Sequence, residues 1–143
     1  MISVVLLHLT ITTQKHKIHF KNMRQLKFRV WDILAKHYIY PEDRLAAAHY
    51  TVSLDGKVYN LQNGTGSPEL VIQEWTGLKD KNGQDIYEGD FLSPVAYHKH
   101  LEVKWISELD ENDWTGWNIG YTEEMSKKTV IGNIFQNPEL LQN

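Results

Sequence analysis

Two dipeptides that close tight turns, Asp55-Gly56 and Asn82-Gly83, sit between short runs of alternating apolar and polar residues. This pairing constrains the fold more than any other feature of the chain. Asp-Gly and Asn-Gly suit two-residue hairpin turns, because both central positions need positive φ. Alternation with a period of two marks strands that bury one face. The cleanest case runs from Leu26 to Ile33, where Leu26, Phe28 and Val30 share one face and Lys27, Arg29 and Trp31 the other. Leu101, Val103 and Trp105 repeat the pattern over 101–106.

Further strands are expected at 38–40, 70–75, 86–92, 114–121 and 129–135, and a hairpin over 51–61. Gly89-Asp90 interrupts 86–92 and predicts a bend or bulge. Helix signals are few. Residues 41–50 read PEDRLAAAHY, with proline at a first-turn position, acids behind it and alanines to follow. Asn137 can cap a last helical turn that Pro138 begins. Segments this short predict a mostly β, β-rich α+β domain: a small irregular barrel or bifurcated sheet with one or two short helices. Trp31, Trp75 and Phe135 are the expected core anchors.

With 143 residues, a single core suffices without staples. The absence of cysteine excludes disulfides, thiolate zinc sites and thiol nucleophiles. Residues 1–22 stand apart. The apolar run Val4–Leu7 is far shorter than the ~20 residues that cross a bilayer, and no secretory signal pattern accompanies it. MRQLKFRVWD from Met23 reads as a natural start. Residues 1–22 are therefore read as an upstream extension, with a strand arm donated to a neighbour as the alternative, and 23–143 as the domain. The extension holds Lys15, Lys17 and Lys21 and no acid, so the remainder sets 12 Lys and Arg against 18 Asp and Glu, a balance of −6. An acidic body argues against phosphate gripping as the main role, because that binding is driven by basic excess.

Catalytic patterns are missing. GTGSP, 64–68, lacks the Lys-Ser/Thr and helix of a phosphate loop. No serine stands in a triad context. His98 and His100, with Glu102, would share one strand face and suit zinc only if they converge. The acidic run Glu108, Asp110, Glu111, Asp113 fails the calcium-loop spacing and reads as a solvated turn. Glu88 and Asp90 flank Gly89 as a carboxylate pair, and acid–base work from them would need a pocket. Lys27 and Arg29 beside Trp31 are the best nucleic-acid feature, since small barrels stack bases on aromatics next to cations. These five residues, Lys27, Arg29, Trp31, Glu88 and Asp90, are the candidate binding residues.

Three blocks together resemble the YopX family: KFRVWD at 27–32, QEWTGLKDKNGQDIYEGDFL at 73–92, and VIGNIFQNPELL at 130–141. Their order and end placement match from Met23 onward, and the middle block is the most specific. The resemblance implies a phage or prophage gene product with an irregular β-rich fold, a homo-oligomer, and a family without an assigned biochemical role. It carries over no catalytic residue and no cofactor. The extension departs from the family pattern. The expected function is a non-enzymatic protein-binding or self-assembling module in the host cytoplasm, without membrane contact. A nucleic-acid-binding β domain is the alternative, and a metal-dependent enzyme comes third.

Overall fold

A computed structural model describes residues 25–94, 99–107, 115–119 and 127–142. Residues 1–22, His98 and the acidic run 108–113 lie outside the described residues. The main sheet has the order β2-β1-β6-β7 and is antiparallel throughout, from β1 (Phe28–Asp32), β2 (His37–Ile39), β6 (Leu70–Lys79) and β7 (Asp85–Tyr87). It curls into a half-barrel. A second sheet pairs β8 (Asp90–Leu92) with β9 (Leu101–Glu102) and with β12 (Val130–Asn133). A third joins β3 (Tyr50–Val52), β4 (Val58–Asn60) and β5 (Thr65–Gly66), and β10 (Trp105–Ile106) pairs with β11 (Gly116–Trp117). The mostly β expectation holds. The only helices described are α1 (Arg44–Ala47) and a 3-10 turn at Pro138–Gln142.

The curl has a local cause. Trp75 pairs with Tyr87 and Lys79 with Asp85, so β6 carries two more residues than β7 between these pairs. Such a bulge bends the strand and raises its twist. Gly77, at φ 87, takes the left-handed conformation there. Thr76 Oγ1 donates to the Ile86 carbonyl at 2.9 Å and accepts from the Leu78 N–H at 3.2 Å, which keeps interrupted ladder groups paired.

Both predicted turns exist but are longer than two residues. Only Gly56 (φ 77) and Gly83 (φ 82) are left-handed, while Asp55 and Asn82 are not. The second turn spans 80–84 because Asp80 organises it. Its Oδ1 accepts from the Asn82 and Gln84 N–H groups at 2.8 and 2.9 Å. Its Oδ2 accepts from the Val130 N–H at 3.1 Å, tying the turn to β12.

Other elements differ in extent. The helix expected over 41–50 shrinks to four residues, too few to bury a face. The strand expected over 101–106 divides into β9 and β10. Between them the Val103 N–H reaches the Asp90 carbonyl, and Asn118 bonds across the gap to Glu102 O and the Lys104 N–H. The Asn137 side chain faces back: its Oδ1 accepts from the Asn133 N–H at 3.3 Å rather than capping forward.

The bend at Gly89 is where the chain changes sheets. β7 ends in the main sheet, and β8 begins in the second. Gly89 has φ 74. A Cβ there would overlap Gln73 Nε2 and lie 3.0 Å from Ile134 Cδ1. Ile86, Leu92, Val103 and Ile119 form the fully buried cluster beside this crossing, with Leu78, Leu101, Trp117 and Val130 against it. Each such side chain contributes about 1.5–3 kcal/mol by leaving water.

Candidate functional site

Alternation along β1 predicts two faces but not which one is inward. The face carrying Arg29 and Trp31 is the buried one, at 3% and 6% exposure, while Phe28 and Val30 are half-buried on the other. The reading of Lys27, Arg29 and Trp31 as a solvent-facing platform for nucleic acid is thereby corrected. Partners from other elements turn the face inward, and no property of β1 alone reveals them.

Arg29 sits in a closed polar node. Its Nε donates to Gln73 Oε1 at 2.9 Å and its NH2 to Asp90 Oδ1 at 2.6 Å. The Glu88 carbonyl lies 3.5 Å from the same nitrogen. The guanidinium carbon lies over the Tyr38 ring at 4.2 Å and the Tyr87 ring at 4.7 Å. Cation–π contacts of this kind contribute about 0.5–2 kcal/mol, more when desolvated. Asp90 is fully buried, and its second oxygen accepts from the Tyr87 N–H at 2.9 Å. Burial pushes the Asp90 carboxyl up, while Arg29 and that N–H pull it back. Tyr38 donates to Gln73 Oε1 at 2.9 Å, and burial pushes its phenol up too.

The node therefore joins the three sequence blocks. Arg29 comes from the first; Gln73, Tyr87 and Asp90 come from the middle. The third enters through register, with Asn133 paired to Asp90 and the Ile134 N–H bonded to the Gly89 carbonyl at 2.9 Å. Trp31 completes the contact by stacking on Phe135, centroids 5.3 Å apart and planes 7° from parallel. Sequence reasoning finds Arg29, Asp90 and Trp31 but misses Gln73, Tyr38 and Tyr87. Gln73 carries a usable signal: an amide amid the apolar residues of a long strand, buried, must find partners.

Lys27 stands outside the node. Its Nζ pairs with Glu42 at 2.5 Å and Asp85 at 2.7 Å, and Lys79 reaches the other Asp85 oxygen at 2.6 Å. Asp85 and then Glu42 hold the Lys27 ammonium above its usual range. This bridge ties the turn before α1 to the main sheet. It also stands at the rim of an open groove of about 660 Å³. The groove lies between the outer face of β1–β2 and the third sheet, and Leu26, Phe28, Val30, Tyr40 and Val52 line it. Leu26, Tyr40 and Val52 remain exposed at 63%, 40% and 37%.

Glu88 is half-buried. Burial first, and the neighbouring Glu74 second, push its carboxyl above the ordinary range. The sign follows from linkage. A carboxyl raised in the folded state contributes stability that is full below its unfolded value, near 4.3, and lost as pH rises through the folded value. Glu88→Gln removes that loss. Its thermal midpoint should therefore gain on the parent's between about pH 4 and 7. An unchanged gap between the two proteins would contradict this. Glu42, held low by Lys27, has the opposite sign and loses its contribution on acidification. In Asp85 burial pushes upward, but Lys27 and Lys79 outweigh it and give the same acid-side loss.

The histidine reading does not gather support. His100 Nε2 lies 2.5 Å from the Leu140 carbonyl, and its ring meets Phe91 edge-on. Glu102 pairs with Lys104 at 2.8 Å. Among the described residues no three His, Asp or Glu side chains converge as a metal site. No helix among them is long and apolar enough to cross a membrane.

The described residues thus define a small, bifurcated β domain held by an internal charge node and bearing an open apolar groove. Residues 27–142 match the family model described as YopX protein, and the chain belongs to the YopX family. Among solved structures it is similar to protein EF1440 from Enterococcus faecalis, with 27% identity and a TM-score of 0.48 over 83% of this chain and 99% of that one. No curated protein matches the sequence.

Proposed function

We propose that this YopX protein is a non-enzymatic module of phage or prophage origin that binds protein in the host cytoplasm, either a second copy of itself or a partner. The observation that supports it best is the open groove faced by Leu26, Phe28, Val30, Tyr40 and Val52. Apolar surface left together in this way favours protein contact, since burying it against a partner releases water. β3, an edge of the third sheet, lines the same groove and offers backbone groups for strand addition. The titratable side chains that suggested chemistry serve other ends. Asp90 and Arg29 neutralise each other inside the fold, and Lys27 closes a turn. Nucleic-acid binding loses its best residue to the same node.

Light scattering across a concentration series tests the reading. Self-association or binding of a co-expressed neighbour-gene product is expected, and Tyr40→Asp or Val52→Asp should weaken it at least tenfold, about 1.4 kcal/mol. Both side chains are exposed, so the fold should survive. A monomer at every concentration that binds no such product, or association indifferent to both substitutions, would count against the groove.

A further inference from the structure

A second groove, of about 400 Å³, opens on the other side of the main sheet. It is lined by Gln73, Glu88, Gly89, Trp105, Phe135 and the Glu102–Lys104 segment, among others. Three of its features point to a ligand. The first is the Gln73 amide. Its Oε1 is fixed inward by two donors, Arg29 Nε and Tyr38 O–H. That leaves Nε2 against Gly89, and it donates to no acceptor among the described residues, although Gln73 is only 2% exposed. A nearly buried N–H without an acceptor costs about 1–3 kcal/mol, which a ligand oxygen would recover. The second is the Glu88 carboxylate, which makes no ion pair among the described residues, whereas Lys104 is already neutralised by Glu102 at 2.8 Å. The third is Trp105, 43% exposed and held edge-on by Trp117 at 5.1 Å.

We infer that this groove takes an extended, arginine-bearing peptide segment of a protein partner, with a peptide carbonyl accepting from Gln73 Nε2 and the guanidinium lying between the Glu88 carboxylate and the Trp105 ring. The chemistry of each wall selects that class. A buried amide N–H wants a neutral carbonyl. An unneutralised carboxylate beside an indole face suits a planar cation that both pairs and stacks. The bare Cα of Gly89 lets a backbone approach the floor. The acidic body, with its balance of −6 outside residues 1–22, steers a basic segment inward and repels phosphates. This surface is separate from the apolar groove, so either can fail without the other.

The test uses the full chain, labelled with nitrogen-15, and three probes: acetyl-Gly-Arg-Gly-amide, its Glu counterpart, and a short oligothymidylate. The arginine probe should shift the Gln73 side-chain NH2 and the Trp105 indole resonances and saturate in the millimolar range, ~4 kcal/mol. The other two should leave them in place. Glu88→Gln and Trp105→Ala, each checked for a dispersed spectrum, should weaken the arginine probe at least fivefold. The second variant keeps the test decisive if the first alters the fold. The inference is overturned by an absence of shifts with the arginine probe, by equal shifts from the glutamate probe or the oligonucleotide, or by affinity unchanged in the folded variant.

Discussion

Asp90→Ala is expected to lower stability by about 3–5 kcal/mol, the cost of stranding a buried charge by removing its partner. The size of the effect follows from geometry rather than from the strength of the ion pair. Asp90 is completely buried, and Arg29, at 3% exposure, has no solvent to turn to. The substitution also leaves the Tyr87 N–H without its acceptor. Small domains are stable by only about 5–15 kcal/mol, so the loss is a large share of the total. Urea titration by tryptophan fluorescence measures it directly. The isosteric double substitution Arg29→Met with Asp90→Leu should recover much of the loss, because it removes both desolvation penalties together. A midpoint for Asp90→Ala within experimental scatter of the parent's would show that the node carries little.

Trp31→Ala is the second large effect, again about 3–5 kcal/mol. Trp31 is 6% exposed and lies between two rings, Phe135 at 5.3 Å and Tyr38 at 4.9 Å. Its removal opens a cavity between the first strand and the C-terminal block. It also frees Tyr38, one of the rings that cover Arg29. Trp31→Phe keeps a ring in place and should cost markedly less. Unfolding curves for the two variants give the comparison. Equal, small losses from both would mean that Trp31 fills space without joining the blocks.

The legible features of this fold were those written in local chemistry. The bend at Gly89 showed because a glycine followed by an acid broke an apolar run. The turns at 53–57 and 80–84 showed through Gly56 and Gly83, although not their length. The second turn is set by Asp80, whose carboxylate bonds two turn N–H groups and one from a strand fifty residues on. No spacing rule announces a contact at that distance. The same limit inverted the β1 faces. Period two was correct, yet Arg29 reads as a surface residue until Asp90, Gln73 and two tyrosines are placed round it. Several of the candidate residues scattered over 27–32 and 88–90 belong to a single cluster, and only the fold could bring them together. The division of 101–106 is likewise tertiary, imposed by Asn118 and by the pairing of Val103 with the Gly89–Asp90 bend.

These relations give the three blocks a shared physical role, which is to close one buried junction where the chain leaves the main sheet for the second. Native-state hydrogen exchange reads that junction most directly. The amides of Tyr87, Gly89 and Ile134 bond to Asp90 Oδ2, the Val103 carbonyl and the Gly89 carbonyl. If the junction closes the fold, all three exchange only through global unfolding, with one free energy equal to that from urea. Exchange of Ile134 at a much lower free energy, while the β1–β6 ladder stays protected, would show the C-terminal block opening alone and would contradict the account.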